Sequence, residues 1–186
     1  MGKKHLFLGL DEKVQPSLLI VLIILTLAVM ISLQVTGKAL ISEAAPAGIL
    51  SFEFAGTVEN AEAMLNSWGE KGRLYAGLNL GIDFLFLFLY PLAIGLASVM
   101  IASRLDEKMK ILAIFGFILS WLLLIAGLLD VIENIALIQL FLGSKADILP
   151  MIAKYCAIPK FVIVIFGLLY MIGGGVVLGV KRIISH

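Results

Sequence analysis

The sequence predicts an all-α protein: a four-helix transmembrane bundle with a non-cytoplasmic cap that contains a short amphipathic helix, in one membrane domain spanning residues 1–186. Three observations carry this. Sixty-one per cent of the residues are hydrophobic, 15% are charged, and mean hydropathy is +1.10, well away from a soluble globular composition. Four apolar runs are long enough to span a bilayer, which takes roughly 20 residues. Basic residues collect at alternate ends of those runs.

The first run is Ser17–Val35, entered through Pro16, a residue suited to a first helical turn. Lys3 and Lys4 precede it as they would a signal peptide. Its apolar core is longer than a signal peptide's, and no small-x-small cleavage site follows directly, so an uncleaved helix is expected. The second run is Gly77–Ala102. The third, Ile111–Leu142, is too long for a simple span, so its end should emerge into the headgroup region. The fourth is Phe161–Val180, opened by Pro159 and Lys160.

Orientation follows from the basic residues near the span ends. Lys3, Lys4, Lys13, Arg104, Lys108, Lys110, Lys181 and Arg182 fall on one side. Lys38, Lys71, Arg73, Lys145, Lys154 and Lys160 are spread over longer loops on the other. A multi-pass protein of the cell membrane with both termini cytoplasmic is expected. Asp106 and Lys110 should pair in the cytoplasmic turn.

The cap is expected over about residues 37–76. "SFEFAG" (Ser51–Gly56) alternates apolar and polar residues, which predicts a short extended stretch. The next segment reads as a helix, with Thr57 as N-cap, Glu59 and Glu62 in its first turns and Gly69 as its stop. Val58, Ala61, Leu65 and Trp68 share one face, making an apolar stripe over the bundle. Trp68 should lie at the membrane interface, roofing whatever is below it.

Below it is a set of polar residues. "LLDVIENIAL" (Leu128–Leu137) places Asp130, Glu133 and Asn134 inside an apolar run. Positions 130, 133, 134 and 137 share a helical face, with Leu123, Ala126 and Gly127 extending it. Asp83 lies about 9 Å into the second span, and Asp130 about 28 Å along the third, which runs the opposite way. With Lys160 at the start of the fourth, all these charges reach the same outer third of the membrane. Asp83 shares its face with Leu87, Tyr90 and Ile94. A charge at the centre of a membrane helix costs at least about 2.5–3.5 kcal/mol, so these faces should turn inward and pair. Lys160 is the one basic residue at that depth, and carboxylates outnumber it unless Lys154 or Arg73 folds in or one carboxyl is protonated.

Two readings stay open. In one, Lys160 clamps the helices together and Asn134 cross-links them. In the other, Asp83, Tyr90, Asp130, Glu133, Asn134 and Lys160 form a polar pocket capped by Trp68, suited to a small cationic or amphiphilic ligand. Gly77-x-x-x-Gly81 and Gly175-x-x-x-Gly179 allow close helix contact, and Pro91 should kink the second span beside Tyr90.

Several classes find no support. The net charge of +1 makes no case for nucleic acid. The one cysteine, Cys156, forms no internal disulfide. His5 and His186 sit at the chain ends, and no nucleotide, hydrolase or metalloprotease motif is present. No catalytic residue, cofactor or metal is expected. The expected role is a non-catalytic binding or accessory subunit with an outer-leaflet polar pocket. Its expected associates are the lipid bilayer, a membrane-protein partner or a second copy, and a small cationic or amphiphilic ligand. The alternatives are a small-molecule or proton-coupled transporter and, behind it, a membrane-embedded lipid-modifying enzyme.

The segments "FEFAG … W" (Phe52–Gly56, Trp68), "DFLF … Y" (Asp83–Phe86, Tyr90) and "DVIEN" (Asp130–Asn134) resemble motifs of a group of small prokaryotic four-helix integral membrane proteins. The resemblance runs from about Ser51 onward and implies the four-helix fold but no activity. A long first outer loop on four spans is also the claudin layout, but this loop has Trp68 alone and no cysteine pair, which rejects that match.

Overall fold

In the computed structural model, which describes residues 6–105 and 107–184, every regular element is helical. The expected pair between Asp106 and Lys110, and the tail residues Lys3, Lys4, His5 and His186, lie outside the described residues. Lys110 meets Glu107 at 3.9 Å, both exposed.

Helix α1 is Gln15–Gly37, with Pro16 in its first turn. Its apolar residues cover the whole circumference, and it is buried only at Gln15, Leu22 and Thr36. A short 3-10 turn, Lys38–Leu40, follows. Helix α2 is Ile49–Glu53, which corrects the extended stretch expected at "SFEFAG". Positive φ angles at Gly48 (60°) and Gly56 (72°) bracket the turn, the Ser51 hydroxyl accepts from the Ala47 N–H at 2.9 Å, and Phe52 is fully buried against Trp68, edge to face at 5.5 Å. Tertiary packing overrides the local alternation.

Helix α3 is Val58–Ala102. Thr57 accepts from the Asn60 N–H, as expected of an N-cap. At Gly69 the backbone leaves the helix (φ 59°, ψ −170°), a conformation open essentially to glycine alone. The segment Val58–Trp68 is therefore set off from the long helix, which starts earlier than the expected Gly77. Trp68 is buried, and its indole N–H donates to the Leu40 carbonyl at 2.7 Å.

Helix α4 is Lys110–Phe141 and α5 is Ile148–Ile184. The fourth helix thus begins well before Phe161: Pro150 takes its first turn, where a missing N–H costs nothing, and Pro159 lies inside it. Four helices are long and apolar enough to cross a membrane. Large apolar side chains stand exposed along them, among them Ile24 and Ile31 on α1, Ile125 and Ile132 on α4, and Leu169 and Ile172 on α5. A surface of that kind suits a hydrocarbon surround.

Helix α3 is the axis of the bundle and packs on α1, α4 and α5, while α4 also packs on α5. Helix α1 packs substantially on α3 alone among the long helices, which leaves a seam between α1 and α5. The close approaches fall elsewhere than at the two expected glycine pairs. A Cβ on Gly81, Gly175 or Gly179 would meet open space, whereas one on Gly116 would strike Tyr170, one on Gly167 would come within 2.9 Å of Ile94, and one on Gly174 within 2.5 Å of Ile101. Pro91 withdraws a hydrogen bond from the Leu87 carbonyl one turn back. Gly127 lies against both, so that an added Cβ would stand 3.1 Å from that carbonyl and 3.0 Å from Pro91 Cγ.

Candidate polar cluster and seam cavity

Helix α4 presents Asp130, Glu133, Asn134 and Leu137 on one face, and all four are buried, at 3% exposure or less. The spacing that made them neighbours in sequence directs them all at α3 and α5. Across from them, Lys160 projects from α5 just after Pro159 and is 6% exposed. Its ammonium donates to Asp130 Oδ1 at 2.9 Å. It also stands 2.7 Å from Glu133 Oε2 and 3.8 Å from Glu53 Oε2, and lies 4.8 Å from the centre of the Phe161 ring. The Glu133 and Glu53 contacts are ion pairs without hydrogen-bond geometry. One lysine on α5 thus holds three carboxyl groups, two from α4 and one from the α2 turn.

Asp83 is held separately. The Asn134 amide donates to its Oδ2 at 2.5 Å, tying α4 to α3. One turn earlier on α3, Asn79 donates to the Leu33 carbonyl at 2.9 Å and to the Thr36 hydroxyl at 2.6 Å, which fixes α3 against α1. Tyr90 is buried, and its hydroxyl has no hydrogen-bond partner among the described residues.

All the expected cluster residues therefore come to one region. Lys154 and Arg73 make no ion pair with it. A fourth carboxyl, Glu53, joins instead, and the excess of acid over base grows. Glu53 escaped the sequence reading because it sits in a segment that alternates like a strand. The signal that singles it out is its place between Phe52 and Phe54 in an otherwise apolar stretch, where a charge needs a buried partner. Burial pushes the Glu53 carboxyl well above the usual range; Lys160 opposes this, and the nearby Glu133 and Asp83 add to it. Trp68 touches Phe52 and the Leu40 carbonyl, so it anchors the segment that delivers Glu53.

The cluster is one end of a cavity of about 670 Å³ that fills the seam between α1 and α5. Glu53, Asp83, Asp130, Asn134 and Lys160 line that end, and Tyr90 lies farther along it. Leu27 and Met30 of α1 form one wall, Val164 and Leu168 of α5 the other. The volume falls within the ~300–1,000 Å³ of small-molecule sites, and the pattern of apolar walls with a few convergent polar groups is theirs too. The α1 wall was not foreseen, because a helix apolar on every face marks none of its sides. Among the described residues no group of three or more His, Cys, Asp or Glu side chains is placed to hold a metal ion.

Comparison with known protein families, with curated proteins and with solved structures finds no match to this chain.

Proposed function

We propose that this protein is an integral membrane protein, both termini cytoplasmic, that binds an amphiphile without transforming it. The ligand's head occupies the Asp83, Asp130 and Lys160 end of the cavity and its apolar part lies along the seam. The observation that carries this reading is the joining of the two environments: a buried cluster with more acid than base opens into a long apolar groove. The groove is an open apolar surface between α1 and α5, and a surface of that kind beside a polar cluster calls for something apolar to cover it. In this arrangement the segment 38–68 is the outer cap, and Glu53 is its contribution to the site.

The carboxyl groups would also suit a proton-coupled carrier. Binding fits better, because α3 is buried continuously from Ala93 to Ala102 and the cavity ends near Ile94 and Met171. That leaves one polar end and no second one. A membrane-protein partner or a second copy would meet the apolar outer faces of α4 and α5 and leave the seam unused.

Native mass spectrometry of the protein released from its own membranes tests the reading. A bound amphiphile is expected at one per chain, and Leu168→Trp, which fills the groove away from every charge, should remove it. Equal lipid retention by the wild type and Leu168→Trp would defeat the proposal.

A further inference from the structure

We infer that the ligand is a long-chain amine, its protonated nitrogen carried directly on the chain and seated between Asp83, Asp130 and the Tyr90 hydroxyl. This rests on the binding reading above and names the chemistry of its ligand.

Charge is the first argument. The carboxyl groups lining the cavity are Glu53, Asp83 and Asp130, of which burial favours the protonated form of Glu53, and the bases are Lys38 and Lys160. Lys160 is already spent on Asp130, Glu133 and Glu53. Asp83 receives only an amide N–H, from Asn134, on Oδ2. Among the described residues no ammonium group forms an ion pair with it, so a partly buried carboxyl in the groove lacks a cation. Tyr90 is 4% exposed, and its hydroxyl, near Asp130 but without a hydrogen bond of full geometry among the described residues, faces the same cavity. A head bearing N–H donors satisfies both groups. An alcohol supplies one donor and no charge, and a carboxylate or phosphate adds a further anion to an acidic site.

The order of charges along the groove is the second argument, and it excludes ordinary zwitterionic phospholipids. Asn79 is level with Leu33 and Thr36 of α1. Asp83 lies one turn, about 6 Å, farther into the bundle, whereas Lys38 lies beyond Thr36 toward the cap. Along its α1 and α3 sides the groove therefore presents Lys38 at its mouth and Asp83 deeper in, while Glu53 of the cap is taken up by Lys160. An aminophospholipid carries its ammonium outermost and its phosphate nearer the chains, so it would set ammonium against Lys38 and phosphate against Asp83. An amine borne directly on its chain puts the nitrogen at the acid and sends the chain inward. From Lys160 to Met171 the α5 wall offers about 16 Å for that chain.

The test uses the full protein in phosphatidylcholine nanodiscs, doped with photoactivatable lipids of matched chain: a primary amine, an alcohol and a carboxylic acid. Labelled positions are mapped by mass spectrometry. The amine should label Met30, Val164, Leu168 or Met171 saturably, at least about tenfold above the alcohol, the loss expected for one charge-assisted hydrogen bond. Asp83→Asn should reduce amine labelling by a similar factor, and Leu168→Trp should abolish it. Should Asp83→Asn fail to fold, the amine-to-alcohol ratio in the wild type and the Leu168→Trp variant decide the matter. Saturable groove labelling by alcohol or acid equal to that by amine overturns the amine assignment and leaves the binding reading standing. Labelling by none of the three, or labelling unaffected by Leu168→Trp, overturns both.

Discussion

The Lys160 ammonium and the Glu133 carboxylate face each other at 2.7 Å between α5 and α4, and both side chains are almost wholly shut off from solvent. A pair at that depth exists only because each member meets a charge the other way: neither could be buried alone. Asp130 on the same face of α4, and Glu53 from the α2 turn, complete the group.

Removing the lysine should therefore do more harm than removing any one acid. Lys160→Met is expected to lower stability by about 3–5 kcal/mol, because it strands carboxylates in a dry interior. Adding Asp130→Asn and Glu133→Gln to that variant should recover much of the loss. Thermal unfolding in mild detergent reads both effects, and a Lys160→Met protein as stable as the wild type would mean the acids are not held by it.

The Asn134–Asp83 bond makes a separate link between α4 and α3. Asn134→Ala should cost about 1–2 kcal/mol, the penalty of a partly buried acceptor left without its donor. The same change made in an Asp83→Asn background should cost less. A double-mutant cycle gives the difference, and a coupling near zero would show that the contact contributes nothing.

Glu53 carries a pH signature. Its carboxyl is raised in the fold, mainly by burial, against Lys160 and with Glu133 and Asp83 adding to the rise. The folded state then holds a proton that the unfolded state gives up near its ordinary value of about 4.3. The stabilisation is full below that value and is lost as pH rises through the folded-state pKa. Relative to the wild type, Glu53→Gln should thus become more stable as pH is raised between about 5 and 8. Unfolding curves over that range check this, and a wild type that gains on Glu53→Gln with rising pH would indicate an ionised Glu53 paired with Lys160.

Helix contact offers a prediction independent of charge. Gly116→Ala presses a methyl into Tyr170, whose hydroxyl donates to the Leu112 carbonyl at 3.1 Å. It should cost about 1–3 kcal/mol through overpacking. Gly175→Ala meets open space and should be neutral or stabilising by up to about 1 kcal/mol, as alanine is in any helix. Comparative melting of the two variants tells them apart, and equal costs would contradict the packing described.

Much of this site was legible in the sequence because hydrocarbon makes charge conspicuous. Asp83, Asp130, Glu133 and Lys160 stand out in apolar runs, and a helical repeat puts 130, 133 and 134 on one face. Glu53 was hidden because "SFEFAG" alternates like a strand, and only the packing of Phe52 on Trp68 turns it into a helix. The start of α5 was hidden because Pro159 looks like a helix opening while Pro150 holds that place. The seam was hidden altogether. It arises from what α1 does not touch, and no pattern within α1 encodes that.

The claim on which the rest depends is that the seam between α1 and α5 is a ligand groove. A cryo-electron-microscopy structure of the protein in nanodiscs containing a long-chain amine tests it most directly. The account predicts elongated density between Met30 and Leu168, ending within hydrogen-bonding distance of Asp83. Helix α1 packed flush against α5, with no room between them, would contradict it.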